Sequence, residues 1–199
     1  MGGQAQDVLM YVPVIAAGLF VLRRLWTLAR PERTDDEVAE KREAELYDAV
    51  LRRDVTSAAE ALMNGASANH ARVDRWNYGE SSEPVLHLAC KQHDLEMVEL
   101  LISHGANPDA QYEKLASGYF EYEPCLHAAA RGPVPDHDAG LGRVTPRHLE
   151  IMRILLENGA DPNVPYRDRD DAYRELNLLG SVQDSPELVA LLLKHGART

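Results

Sequence analysis

PVLHLACKQHDLEMVELLISHGANPDA, residues 84–110, decides the fold. Leu86, Leu88 and Ala89 form a short apolar helix that opens on Leu-His. After a polar break at 91–94, Leu95, Val98, Leu101 and Ile102 recur at the three- and four-residue spacing of one helix face. Gly105 then stops the second helix, because the left-handed backbone that ends a helix favours glycine. A helix pair this short cannot bury its apolar face alone, so neighbouring pairs must stack against it.

The neighbours are present in the same chain. Four segments close alike: MNGASAN (63–69), SHGANPD (103–109), ENGADPN (157–163) and KHGART (194–199). They follow the apolar helical stretches AAEALM, LEMVELLI, LEIMRILL and ELVALLL. Two are preceded by a Leu-His helix, LHLAC (86–90) and LHAAA (126–130); the other two carry Leu46-Tyr47 and Leu176-Asn177 at that place. From the histidine position to the glycine is 18 residues in the first and second repeats and 19 in the fourth. In the third it is 32, which places a 14-residue insertion between its helices.

With these residues in hand, the chain resembles the ankyrin-repeat proteins, whose pattern TPLHLAA…GHLEVVKLLLxxGADVNA is followed almost throughout by residues 84–110 and again by CLHAAARG…HLEIMRILLENGADPNV. The first and fourth repeats are degraded, as terminal capping repeats usually are. The resemblance covers residues 45–199, with repeats at 45–70, 84–111, 124–164 (insertion 133–147) and 174–199. It implies an all-α solenoid of stacked helix-turn-helix pairs with long hairpin fingers. It further implies that His87 and His127 hold neighbouring loop backbone, and that the function is protein binding by a non-enzymatic adaptor or scaffold.

Composition agrees with a binding module. The 199 residues contain 21 Lys+Arg and 32 Asp+Glu, a formal net charge of −11. Residues 1–30 hold three arginines and one acid, so residues 31–199 carry about −13. Such a body repels phosphate backbones, which argues against nucleic acid and for a protein partner with a basic surface. Cys90 and Cys125 form no C-x-x-C and read as reduced structural thiols. There is no Gly-rich phosphate loop, G-x-S-x-G or H-E-x-x-H, and no Cys–His arrangement in a suitable context. The sequence therefore predicts no catalytic residue, cofactor or metal. Asp136-His137-Asp138 in the insertion are adjacent rather than spaced on one face, so a surface loop is expected there.

Residues 1–30 predict an attachment to a membrane. VLMYVPVIAAGLFVL (8–22) is uncharged, about 22 Å long as a helix against the ~30 Å hydrocarbon core. Apolar residues resume after Arg23 and Arg24, and Trp26 suits the interface, so one N-terminal single-pass helix is expected over 8–29. The positive flank then puts the body on the cytoplasmic, matrix or stromal side. A membrane-surface helix using Arg23 to Arg30, or a mitochondrial or plastid import signal, competes with this reading. Residues 31–44 read as a charged helical linker, opened by the capping box Thr34-Asp35-Asp36-Glu37. An accessory subunit built permanently into a membrane complex is the alternative to a free adaptor.

The fingers depart from the family. Asn69 to His87 and Asp109 to His127 are each 18 residues, and Asn163 to Asn177 is 14, where a ~33-residue period needs about 11. Two of the fingers are aromatic, with Trp76 and Tyr78 in one and Tyr112, Tyr119, Phe120 and Tyr122 in the other. Aromatic rings on projecting loops are raw material for binding hot spots, or they pack on one another to stiffen the fingers.

Overall fold

The computed structural model describes residues 35–117, 119–131, 145–167 and 176–198; of Tyr119 it describes the backbone alone. The chain divides into two compact units, 1–38 and 39–199. Of the first, only 35–38 is described, where a helix begins.

Helix α1 (Asp35–Arg52) is charged through its first half and buries Leu46, Tyr47, Ala49 and Val50 in its second. It pairs with α2 (Val55–Met63), capped by the Asp54 carboxylate accepting from Ser57 N–H at 3.0 Å. The second pair is α3 (Val85–Lys91) and α4 (Leu95–Ser103), with Asp94 capping α4. The third is α5 (Cys125–Arg131) and α6 (Pro146–Glu157); the fourth is α7 (Leu178–Ser181) and α8 (Pro186–Lys194). In α6, Pro146 sits where its missing N–H costs nothing, and Thr145 caps the helix with His148. The helix thus takes in the last residues expected of the insertion; 132–144, with Asp136, His137 and Asp138, lie outside the described residues.

Successive pairs stack, α3 on α5 and α2 on α4 on α6 on α8. Leu86, Met97, Val98, Leu101, Ile151, Leu155, Leu188 and Leu192 are fully buried in the core this makes. Gly65, Gly105, Gly159 and Gly196 all have φ between +81° and +97°. After each, an alanine N–H reaches back to the helix, as in Ala106 N–H to Leu101 O at 3.0 Å. The polar residue closing each repeat ties it to the next. Asn69 Oδ1 accepts from Asn107 N–H at 2.7 Å, Asp109 Oδ1 from Asp161 N–H at 2.8 Å, and Asn163 Oδ1 from Arg198 N–H at 2.8 Å. The amides of Asn69 and Asn163 also donate to Gly105 O and Gly196 O.

The all-α expectation is overturned. The two long fingers are β-hairpins, β1 (Ala71–Trp76) with β2 (Gly79–Pro84) and β3 (Gln111–Ala116) with β4 (Tyr119–Pro124). They join edge to edge in one antiparallel sheet of order β1-β2-β3-β4. An 18-residue finger leaves room for two six-residue strands and a two-residue turn, and β2 then satisfies its outer backbone groups on β3. A third finger continues the sheet past β4, with Tyr122 and Arg167 exchanging N–H···O bonds at 3.0 and 3.2 Å. The expected N-terminal single-pass or membrane-surface helix is not among these elements. Residues 8–29 lie outside the described residues, and no helix within the described residues is long and apolar enough to cross a membrane.

Candidate functional site

Residues paired across antiparallel strands share a face, and successive residues along a strand alternate between faces. On one face of the finger sheet, Arg75, Glu80, Leu115 and Phe120 form one row and Val73, Ser82, Glu113 and Tyr122 the next. Leu115 (47% exposed) and Phe120 (37%) are cross-strand neighbours on this face, and Val73, also 47% exposed, shares the face from β1, beyond Ser82 and Glu80. Tyr122 flanks Phe120 with ring centroids 5.6 Å apart, and the Arg167 guanidinium lies 5.6 Å from the Tyr122 ring. Arg75 and Glu80 pair at 3.3 Å at the margin, an exposed contact worth little.

The six aromatic candidates are therefore divided. Phe120 and Tyr122 lie on this face, Trp76 (41% exposed) and Tyr112 on the opposite one, and Tyr78 (75% exposed) at the β1–β2 turn. Tyr119 pairs in register with Ala116. Tyr112 is not a free hot spot, because its ring stacks on His87 at 5.6 Å and 22°. Reading the fingers as loops missed Val73 and Leu115; alternation in ARVDRW and QYEKLA was the available signal.

At the foot of the opposite face, His87 (1% exposed) lies between two carboxylates. Its Nδ1 is 3.6 Å from Glu83 and its Nε2 3.4 Å from Glu123. Tyr47 donates to Glu83 at 2.9 Å, Lys91 approaches Glu83 at 3.3 Å, and Arg131 donates to Glu123 at 3.0 Å. Burial disfavours charge on the imidazole, but the two carboxylates outweigh it and raise its pKa above the ordinary value. Burial likewise raises both acids, yet His87 with Lys91 and Tyr47 brings Glu83 down to about 2, and His87 with Arg131 brings Glu123 down to about 2. His87 was expected to hold loop backbone; it holds two finger carboxylates instead. A ring this buried is a fastener between repeats two and three rather than an acid–base catalyst.

His127 also departs from expectation. It is 1% exposed, neither ring nitrogen has a hydrogen-bond partner among the described residues, and its ring centroid lies 3.5 Å from that of Tyr166. Burial pushes its pKa down to about 3, against the field of Glu123. His93, which the sequence reading did not single out, donates from Nε2 to Ala129 O in the next repeat at 3.1 Å and meets His148 edge-on at 4.1 Å. Burial, then His148, pushes its pKa down to about 4.

These histidines set the response to acid. The unfolded chain takes up a proton near pH 6.5 at His127 and the folded chain only near 3, so stability falls as pH drops between those values. At pH 5 this one site costs about 2 kcal/mol relative to pH 7.5. His93 acts in the same direction, whereas His87, with its raised pKa, loses its contribution only as pH climbs through that value. The urea midpoint is expected to fall from pH 7.5 to pH 5.0 in the parent protein and to fall less in His127→Leu; equal falls in the two would remove His127 as the cause.

Cys90 and Cys125 are free and fully buried, and burial, with Cys90 alongside, pushes the Cys125 thiol well up, away from the reactive thiolate. Among the described residues no three His, Cys, Asp or Glu side chains are grouped to hold a metal ion.

Comparison with known proteins places these elements. A family model for ankyrin repeats (3 copies) matches residues 46–166, which ends before α7 and α8. A fowlpox virus (strain NVSL) protein named for its ankyrin repeats is 26% identical over 147 residues, 69% of this chain. The chain spans 22% of that relative's length.

Proposed function

Since this chain belongs to the ankyrin-repeat family, whose repeats are generally non-enzymatic protein–protein interaction modules, we propose that it captures a protein partner on the finger sheet and is attached to a membrane by residues 8–29. The observation that carries the first part is the exposed cross-strand pair Leu115 and Phe120, 47% and 37% exposed, with Val73 on the same sheet face. Apolar side chains fixed by strand pairing bind with little loss of conformational freedom, which favours them as anchors. Tyr78, 75% exposed at the β1–β2 turn, stands beside this face. The acid excess of residues 31–199 favours a partner with a basic surface and disfavours nucleic acid. Membrane attachment rests on the uncharged run at 8–22 with Arg23, Arg24 and Trp26 at its end. The charge order puts the repeats on the cytoplasmic, matrix or stromal side.

The test is extraction of the full-length protein from its own membranes in mild detergent, with native sizing and mass spectrometry of what co-migrates. Replacing Leu115 and Phe120 with serine is expected to weaken partner capture at least about tenfold, without moving the thermal midpoint beyond a few degrees. Undiminished capture removes the sheet from the reading. Release of the full-length protein by alkaline washing would remove membrane insertion. Migration in a single large band of fixed stoichiometry would make it a built-in subunit rather than a free adaptor.

A further inference from the structure

We propose that the outer edge of β1 joins two copies of this chain, each β1 pairing antiparallel with the other about a two-fold axis through Val73. β1 ends the sheet, so on its far side no strand pairs with it among the described residues. Its pairing with β2 decides which backbone groups it offers there. Val85 N–H donates to His70 O at 3.0 Å, and hydrogen-bonded residues alternate along an antiparallel ladder. Arg72, Asp74 and Trp76 therefore turn their N–H and C=O to β2, and Ala71, Val73 and Arg75 turn theirs outward. Ala71 facing Pro84, which has no N–H to give, agrees with that alternation. The chain already joins two hairpins by such an edge, where Glu80 and Ser82 of β2 meet Leu115 and Glu113 of β3.

The residues of β1 select a second copy as the occupant. A two-fold axis sets each residue opposite the one equally far beyond the centre, and outward-facing residues must meet outward-facing ones to share hydrogen bonds. The available centres are thus Ala71, Val73 and Arg75. Centred on Val73, Arg72 meets Asp74 of the second copy and Asp74 meets its Arg72, while Arg75 lies opposite the small Ala71. Opposite charges directly across a strand pair are favourable, and like charges are not. Centred on Arg75, two guanidinium groups would face each other. Centred on Ala71, Arg72 would face His70, Asp74 would face Ala68, and both charge pairs are lost. Charged side chains ordinarily keep a sheet edge single. Here opposite signs stand one place either side of Val73, so the edge complements itself in one register and repels in another. Arg72, Val73 and Asp74 are all exposed. Arg72 now reaches Asp74 of its own strand at 3.1 Å and lies 5.1 Å over the Tyr47 ring, so the joined strands would set four alternating charges together on one face.

Val73→Cys is the probe. The chain's two cysteines, Cys90 and Cys125, are fully buried, and facing residues of a hydrogen-bonded pair have Cα atoms about 5.5 Å apart, within disulfide reach. Full-length Val73→Cys protein in mild detergent is oxidised with diamide. It is expected to form a disulfide-linked dimer at least about tenfold faster than Arg72→Cys or Arg75→Cys, whose counterparts the register holds further apart. On the Val73→Cys background, Asp74→Arg or Arg72→Asp should each abolish the cross-link, because like charges then face each other. Mixing those two variants should restore it, since each arginine then meets an aspartate. The replaced side chains are exposed, so thermal midpoints should stay within a few degrees of the parent's. Leu115→Ser with Phe120→Ser should leave the cross-link intact, which separates this edge from partner capture on the sheet face. The proposal is overturned by cross-linking as fast at Arg72→Cys as at Val73→Cys, by indifference to the charge reversals, or by a mixture that restores nothing. Slow exchange of the β1 amides in a protein that does not cross-link would assign the edge to residues 1–34 of the same chain and overturn it likewise.

Discussion

Gly79→Val is expected to pull the two finger hairpins apart while leaving the helix stack folded. Gly79 faces Ala116 where β2 meets β3, and a Cβ built there overlaps the Leu115 carbonyl oxygen and lies 2.9 Å from Ala116 Cα. Both obstacles are backbone, so no rotamer change relieves the clash, and the strand must move off. That breaks the ladder through Glu80–Leu115, Ser81–Lys114 and Ser82–Glu113, and the bond from Ser117 N–H to Tyr78 O at 2.9 Å. At roughly 1 kcal/mol net per bond, the local loss is about 3 kcal/mol, or about a hundredfold faster amide exchange in β2 and β3. Helices α3 to α6 pack through Leu101, Ile151 and Leu155, away from that contact, and their exchange should hold. Collapse of α3 and α4 along with the strands would mean that the sheet is part of the repeat core. Partner capture should fall with the strands, because Val73 lies on the first hairpin and Leu115 and Phe120 on the second.

Replacing Glu123 with leucine should destabilise the protein by about 3 kcal/mol, near the low end for breaking a buried charge pair because the carboxylate keeps 18% exposure. The loss has two sources. His87 keeps only Glu83 as a charge partner while remaining almost fully buried, and Arg131 loses the carboxylate it donates to at 3.0 Å. Glu123→Gln, with the shape kept and the charge removed, should cost less, and both variants should lower the pKa of His87 in an NMR titration. A change under about 0.5 kcal/mol, the usual range of surface substitutions, would show that the repeats do not depend on this cluster.

The sequence alone was enough to locate each helix pair and its stop. A recurring apolar face, a closing glycine and a closing Asn or Asp act over a few residues, and the structure places α4, α6 and α8 where those marks stand. The ankyrin-repeat assignment followed from them. The sheet was not legible in the same way. The fingers carried alternation and aromatic residues, but a hairpin in isolation is marginal, and what makes these two a sheet is β2 on β3, a pairing of residues more than 30 apart in the chain. Which finger residues face outward follows from that register, so Val73 and Leu115 joined the candidate surface and Tyr112 was drawn down onto His87. The two leading histidines illustrate the same division. Glu83 stands four residues before His87 and could be read as its neighbour on a local turn, but Glu123 is 36 residues away. Local spacing therefore determined the repeats, because helix periodicity and helix ends are short-range physics. The stacking of one repeat on the next decided the sheet, the exposed apolar face and the charge held at His87, because each depends on groups that only the folded chain brings within a few ångströms.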